Sequence, residues 1–317
     1  MPLEAARELV AIRDVSDKAE WDALIAASPM PHLPQAFAYG EGKSATGWIV
    51  RRVVFSVAGR PVAYAAVLQL RRFGVTLLNR VNRGPVFLQD DPSQAITVAV
   101  YNALRRRFGR FWRGPLLIAP ALLMGQPARI ALRQAGYRVR HQHAWQSGRI
   151  DLTVSEDALW MGFASTFRNR VRNAEKAGAE LRVADDAATF EWMIARHLEN
   201  MGEKKFSAVG GELLRAMRET APEEVTVFQL IRGGAPVAGM SVVRFGRIAE
   251  YHIGWFGPEG RKLNAGNFLM WQVMREMKRR GVERFDVGGL RAGDGYTRFK
   301  QTMHPVEYEL AGEWWAI

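Results

Sequence analysis

Residues 225–257, VTVFQLIRGGAPVAGMSVVRFGRIAEYHIGWFG, govern how the whole chain is organised. An apolar run ends at Gly234-Ala235-Pro236, a second ends at Phe245-Gly246, and a third follows. Glycine and proline supply backbone angles that other residues resist, so this punctuation predicts a three-stranded meander joined by tight turns. Residues 49–81, IVRRVVFSVAGRPVAYAAVLQLRRFGVTLLNRV, repeat the order: an apolar run, a turn at Gly59-Arg60-Pro61, a second run, Phe73-Gly74, and a third. Gly59-Arg60-Pro61-Val62-Ala63 and Gly234-Ala235-Pro236-Val237-Ala238 nearly coincide. One shared turn would mean little, but strands and turns matching in order predict a duplicated unit.

Outward from each meander the pattern changes period. Asn264 to Arg280 places Phe268, Leu269, Trp271, Val273, Met274 and Met277 at helical spacing, with basic residues at the end and Gly281 as the stop. Phe285-Asp286-Val287 then reads as a short strand. Ser93 to Phe108 and Pro115 to Ala119 are the corresponding helix and strand of the first half. Between the halves, Ile150 to Val154 reads as extended, Glu156 to Ala177 as one helix closed by Gly178, and Glu180 to Val183 as a strand. A boundary near residue 150 gives an N-terminal domain of 1–150, completed by the C-terminal segment 305–317, and a second domain of 151–304. No low-complexity linker separates them.

Composition bounds the function. The 317 residues, 48% hydrophobic, suit a globular protein, and no run approaches the roughly 20 apolar residues of a spanning helix. MPLEAARELVAIRD carries early acidic residues and lacks a signal-peptide core, which predicts a cytoplasmic protein. The absence of cysteine excludes disulfides, zinc-thiolate sites and thiol nucleophiles. Of the six histidines, His141 and His143 would share a face of a strand, but nothing nearby completes a ligand set, so no metal is expected. A net charge of +12 favours a polyanionic ligand.

A meander, helix and strand in series is the core of the GNAT acyltransferase fold, and the chain predicts two such α/β units in tandem, each a mixed, mostly antiparallel sheet flanked by helices. Five spaced motifs resemble the FemABX peptidyltransferases, a family of tandem GNAT-like enzymes. Gln35, Tyr39, Lys43 and Gly47-Trp48 are similar to a Q-x-x-x-W/Y-x-x-x-K-x-x-x-G-W signature; Asn82-Arg83-Gly84-Pro85-Val86 resembles an R-G-P strand entry. Arg168 to Gly178 resembles the basic helix of that family, and Phe285-Asp286-Val287-Gly288-Gly289 and Phe299-Lys300 its F-D-x-G-G and F-K motifs. The resemblance implies transfer of an amino acid from aminoacyl-tRNA to an amine of a peptide or nucleotide-linked peptidoglycan precursor. It implies that Lys300 and Phe299 line the donor site and that Lys43, Tyr39 and Tyr251 contact the acceptor, where Arg168 and Arg172 are expected as well.

The residues also carry readings of their own. Transfer passes through an anionic tetrahedral intermediate, which a fixed ammonium at Lys300 would stabilise, and Phe299 offers a stacking surface for a terminal adenine. Asp286 ends a strand and opens a loop running through Arg291, Asp294, Gly295 and Tyr296 to Lys300; it serves either as the catalytic base or as a cap holding that loop. Arg168, Arg172 and Lys176 stack four apart on one helix face, suited to phosphates or to solvent. Tyr251 on an alternating strand shares a face with Ile253 and Trp255.

One feature departs from the family pattern, and one rival reading stands beside it. The stretch from His197 to Phe206 lacks the expected aromatic, which leaves the acceptor open. The rival donor is acetyl-CoA or another acyl-CoA, with a small amine as acceptor. Its pyrophosphate turn would be Arg261-Lys262-Leu263-Asn264-Ala265-Gly266, where Asn264 replaces a glycine but tolerates a left-handed backbone. Arg261, Lys262, Asn264, Gly266 and Arg298 form the expected donor-binding set. A non-enzymatic RNA-binding module explains the charge alone. A self-contained pair of halves suggests a monomer.

Overall fold

The computed structural model describes residues 10–110, 113–141, 144–204, 208–291, 293 and 295–317. The N-terminal residues up to 9, His143, Lys205-Phe206 and Asp294 lie outside the described residues. The chain divides into two compact units: Met1–Trp145 with Glu309–Ile317, and Gln146–Tyr308. The elements begin β1 (Val10–Asp14), α1 (Lys18–Ala27), α2 (Phe37–Ala45), β2 (Ile49–Val57), β3 (Arg60–Arg72), β4 (Val75–Asn82), β5 (Val86–Phe87), α3 (Gln94–Phe108), β6 (Leu116–Ala119), α4 (Gln126–Gln134) and β7 (Arg138–His141). They continue β8 (Gln146–Asp151), α5 (Glu156–Gly162), α6 (Ser165–Lys176), β9 (Glu180–Ala184), α7 (Ala187–Lys204), α8 (Gly211–Thr220), β10 (Val225–Arg232), β11 (Ala235–Phe245) and β12 (Ile248–Phe256). The last are α9 (Pro258–Lys262), α10 (Ala265–Arg279), β13 (Arg284–Asp286), α11 (Gly295–Gln301), β14 (Val306–Glu309) and β15 (Glu313–Ala316).

The first unit holds a sheet in the order β1-β2-β3-β4-β6-β15-β7, with β5 beside β3. Its meander is antiparallel, and β4 meets β6 in parallel after the α3 crossover. Ser93 caps α3, its hydroxyl accepting the Ile96 amide at 3.3 Å. Val53, Phe55, Ala63, Ala65 and Val67 alternate into a core with Val100, Tyr101 and Leu104. Gln35 of the first motif is fully buried: its side chain accepts the Ala66 amide at 2.7 Å and donates to Asn82 O at 2.6 Å, so it ties β3 to β4.

The second unit has the order β14-β8-β13-β12-β11-β10-β9. One face of its meander, through Phe228, Leu230, Ala238, Met240 and Val242, packs on α6 and α10. The other face carries Gly239, where an added Cβ would meet Trp192 of α7. Leu269 and Met274 of α10 are buried, each worth roughly 1.5–3 kcal/mol. Gly281, at φ +79°, ends the helix; its amide reaches Lys278 O and that of Val282 reaches Met277 O.

The structure differs from the sequence reading in five places. The single helix expected over Glu156 to Ala177 is two, because Phe163 and Ala164 are extended and the Ala164 amide bonds Thr302 O at 2.9 Å instead of continuing the helix. Strand β8 starts at Gln146 and pairs in the second sheet, so the first unit's long stretch closes at Trp145 and not 150. The tail divides: β14 joins the second sheet while β15 joins the first. Phe299 and Lys300 sit in the short helix α11, not in a loop. Finally, β12 carries a bulge at His252, since Val242 pairs Tyr251 and Ser241 pairs Ile253. The extra residue reverses the alternation, so Tyr251 faces the α10 core with Ala249 and Phe256, while Trp255 meets Trp192 on the opposite face.

Candidate active site

The site grows from a divergence of strands. β12 and β13 are paired only from Ile248–Arg284 to Glu250–Asp286. Beyond these residues β12 runs on beside β11, whereas the chain after Asp286 follows β8, the Val287 amide bonding Gly148 O at 2.9 Å and the Leu290 amide bonding Gln146 O at 2.8 Å. Gly288 sits where the two paths part, at φ +72°; a Cβ there would lie 2.9 Å from the Tyr251 carbonyl oxygen. Only glycine meets both demands without strain.

Lys300 enters this opening from α11. It is 5% exposed, its ammonium donates to Gly289 O at 2.9 Å and stands 5.2 Å from the centroid of the Tyr251 ring. Enclosure, and then Tyr296, push the Tyr251 phenol well above its ordinary pKa, which keeps it protonated. Phe299 stacks on Phe167 of α6 at 6.4 Å and 27° and lies beside Gly266, where a Cβ would be 3.5 Å from its ring.

Gly266 belongs to the first turn of α10. Asn264 precedes that helix in the left-handed region, φ 56° and ψ 34°, the conformation its substitution for glycine requires. Helix N-termini present free amides and a positive dipole end to anions. Asn267, in the same turn, is 5% exposed, and its side-chain amide nitrogen has no partner among the described residues. Such an orphaned donor costs free energy unless a ligand meets it; sequence reasoning missed it because an asparagine inside a helix start reads as ordinary. Arg261 donates to Phe256 O at 2.6 Å, and Arg261, Lys262 and Arg298 are exposed.

Asp286 is 1% exposed and its carboxylate is surrounded by donors: the Ser147 hydroxyl, the Gly288 amide at 3.0 Å, the Tyr308 hydroxyl at 2.8 Å and Arg149 Nε at 3.3 Å. Four donors already converging on the carboxylate are what a cap requires, and they favour that reading of the two the sequence allowed. Arg168 is likewise occupied, donating to Met161 O at 3.1 Å and to Phe163 O, where it fastens the break between α5 and α6. Arg172 lies 5.4 Å from the Trp160 ring and is exposed. Arg168→Ala should therefore cost about 1–2 kcal/mol of stability, read as a lower urea midpoint. An unchanged midpoint would return Arg168 to ligand binding.

Lys43 and Tyr39 belong to the first unit, on α2, with the Lys43 ammonium 5.7 Å from the Tyr39 ring. Burial, and then the charge of Arg80, lower the Lys43 pKa. His141 contacts Glu313 at 2.8 Å. Among the described residues no group of His, Asp or Glu side chains is placed to hold a metal, and no helix is long and apolar enough to cross a membrane.

Residues 162–301, which contain the divergent strands, Asn264, Gly266, Asp286 and Lys300, match the acetyltransferase (GNAT) domain family. The match lies within the second unit, and the fold so defined is two GNAT-like α/β units in tandem. In fold the chain is FemX-like: it superposes on the crystal structure of FemX with a TM-score of 0.82 at 16% identity, covering 97% of each chain. A tandem GNAT protein from the clavulanic acid biosynthesis pathway is similar at TM-score 0.56 and 14% identity, with 97% of this chain and 98% of that one covered. The C-terminal domain of a putative lysylphosphatidylglycerol synthetase from Agrobacterium fabrum is similar at 0.55 and 13%, with 94% and 91% covered. No curated protein matches the chain.

Proposed function

We propose that the second unit transfers an aminoacyl group from aminoacyl-tRNA to the amine of a peptide or nucleotide-linked precursor. The observation that carries this reading is the buried Lys300 ammonium at the parting of β12 and the post-β13 chain. The acceptor nitrogen attacks the ester carbonyl carbon, forming the C–N bond. The carbonyl oxygen becomes an oxyanion that the ammonium stabilises without any reorganisation of solvent. Collapse breaks the bond to the ribose oxygen, which leaves with the proton the amine gives up. Phe299 supplies a face for the terminal adenine. The likeness in fold to FemX supports this choice of donor, and the net charge of +12 suits an RNA carrier.

A second reading has its own observation. The left-handed Asn264, the first turn of α10 and the unpartnered Asn267 amide suit the pyrophosphate of acetyl-CoA or another acyl-CoA, with a small amine as acceptor. Binding separates the two. The protein is expected to hold charged tRNA at micromolar concentration or tighter and to transfer its aminoacyl group to a peptide amine. Micromolar binding of acetyl-CoA with none of tRNA would overturn the first reading in favour of the second.

A further inference from the structure

The first unit carries a second basic region that the proposed reaction does not use. Residues 105–114, RRRFGRFWRG, close α3 and lead to β6. Arg106, Arg107, Arg110 and Arg113 line an open groove of about 550 Å³, floored by Val10 and Ile12 of the edge strand β1 and by Ala103. A smaller cavity of about 240 Å³ continues it, sharing Arg107 and Arg113 and adding Arg51 from β2. Among the described residues the two linings hold five arginines and no acidic side chain. Asp14, beside them, pairs with Arg51 at 3.0 Å and with Arg107.

Three cations in the last turn of a helix would by themselves be a response to its dipole. Arg110 and Arg113 lie beyond that turn, and their placement is built. Asn79 is fully buried, and its side-chain amide donates to Phe108 O at 2.8 Å and to Arg113 O at 2.7 Å. Gln69 in turn donates to Asn79 Oδ1 at 2.8 Å, which fixes the amide's orientation. Phe108 and Arg113 are thus both tied to one side chain from β4, which fixes the backbone that presents Arg113 to the groove.

We infer that this groove is a docking surface for the phosphate backbone of RNA. The guanidinia are strung from the edge of the sheet past the end of α3 to β2, an extended row that suits successive phosphates better than one anion at a point. A lipid surface would need apolar side chains projecting around the charges, whereas the apolar lining residues Val10 and Ile12 are half-buried and Ala103 is buried. The inference rests on the aminoacyl-tRNA reading only for the identity of the RNA, since a donor of that size needs contacts beyond its acylated end.

The test uses the full chain with deacylated tRNA, a short CCA-ended strand, and vesicles containing phosphatidylglycerol. Arg106 and Arg110 are exposed, and the pair R106A/R110A leaves the backbone bonds of Arg107 and Arg113 in place; binding is read at a temperature where calorimetry shows both proteins folded. It is expected to bind tRNA at least tenfold more weakly at 0.1 M salt, with the slope of log K against log salt reduced by roughly 2. R106K/R110K should keep most of the binding, and transfer from an aminoacylated short strand should be unchanged in both. An unchanged slope in R106A/R110A, or loss of vesicle binding with tRNA binding intact, would overturn the inference. Failure of the donor reading shows separately: wild type would then bind tRNA through the groove, with Lys300→Met binding equally, yet transfer nothing from it.

Discussion

Lys300→Met is expected to lower kcat by roughly 10²- to 10³-fold with KM for the donor nearly unchanged, the loss seen when one preorganised oxyanion donor is removed. Methionine keeps the length and apolar volume of the lysine stem, so the packing of α11 against the core survives while the charge is lost. The split between kcat and KM is what distinguishes the proposed role. Were the ammonium only a strut between Gly289 O and the Tyr251 ring, the substitution would lower the melting temperature and raise KM through a loosened site. Were it a phosphate contact in the ground state, KM would rise with kcat preserved. Turnover within threefold of wild type, in a protein that melts normally, would remove Lys300 from the mechanism. The same experiment with acetyl-CoA as donor gives the same expectation, because both esters and thioesters pass through an oxyanion. It therefore tests the site independently of the carrier.

What the sequence made legible is what local chemistry fixes. The turns of both meanders stand where Gly59 and Gly234 adopt positive φ, and α3 starts at the Ser93 cap because serine satisfies an amide there. The alternation of the central strands marks the core of each unit, and Gly281 marks the end of α10. The features that escaped are set by partners remote in the chain. Nothing in Phe163-Ala164 forbids a helix; the break arises because Thr302, far along the sequence, offers a carbonyl to the Ala164 amide. The bulge at His252 carries no glycine signal, and missing it assigned Tyr251 to the wrong face. Lys300 was singled out by a motif, but its burial depends on Gly288 and Gly289 turning away from β12. Asn267 and the clamp made by Asn79 were invisible for the same reason, each being an amide whose meaning lies in what surrounds it.

Asp286 is where those two kinds of information meet, and it gives the largest expected effect on stability. Its carboxylate gathers donors from β8, from β14 and from its own loop, so one side chain ties together the segments at the strand parting where the proposed site lies. Asp286→Ala would take from Arg149, whose side chain is 10% exposed, the carboxylate it pairs with. Breaking one side of such a pair costs about 3–5 kcal/mol. For a unit the size of Gln146–Tyr308 each kcal/mol lowers the melting temperature by roughly 2–4 °C, so calorimetry should show a fall of roughly 6–20 °C. Asp286→Asn keeps one acceptor oxygen and should lose less, roughly 1–3 kcal/mol, while still weakening the loop that carries Gly289. An anchor and a base then part company in the pH profile. With an anchor, the acid limb of kcat keeps its inflection in the asparagine variant and only its height falls. With a base, that limb disappears and turnover drops a hundredfold or more in a protein that melts within 2 °C of wild type. The first outcome follows from four donors already converging on one carboxylate; the second would mean that one of them gives way when substrate arrives.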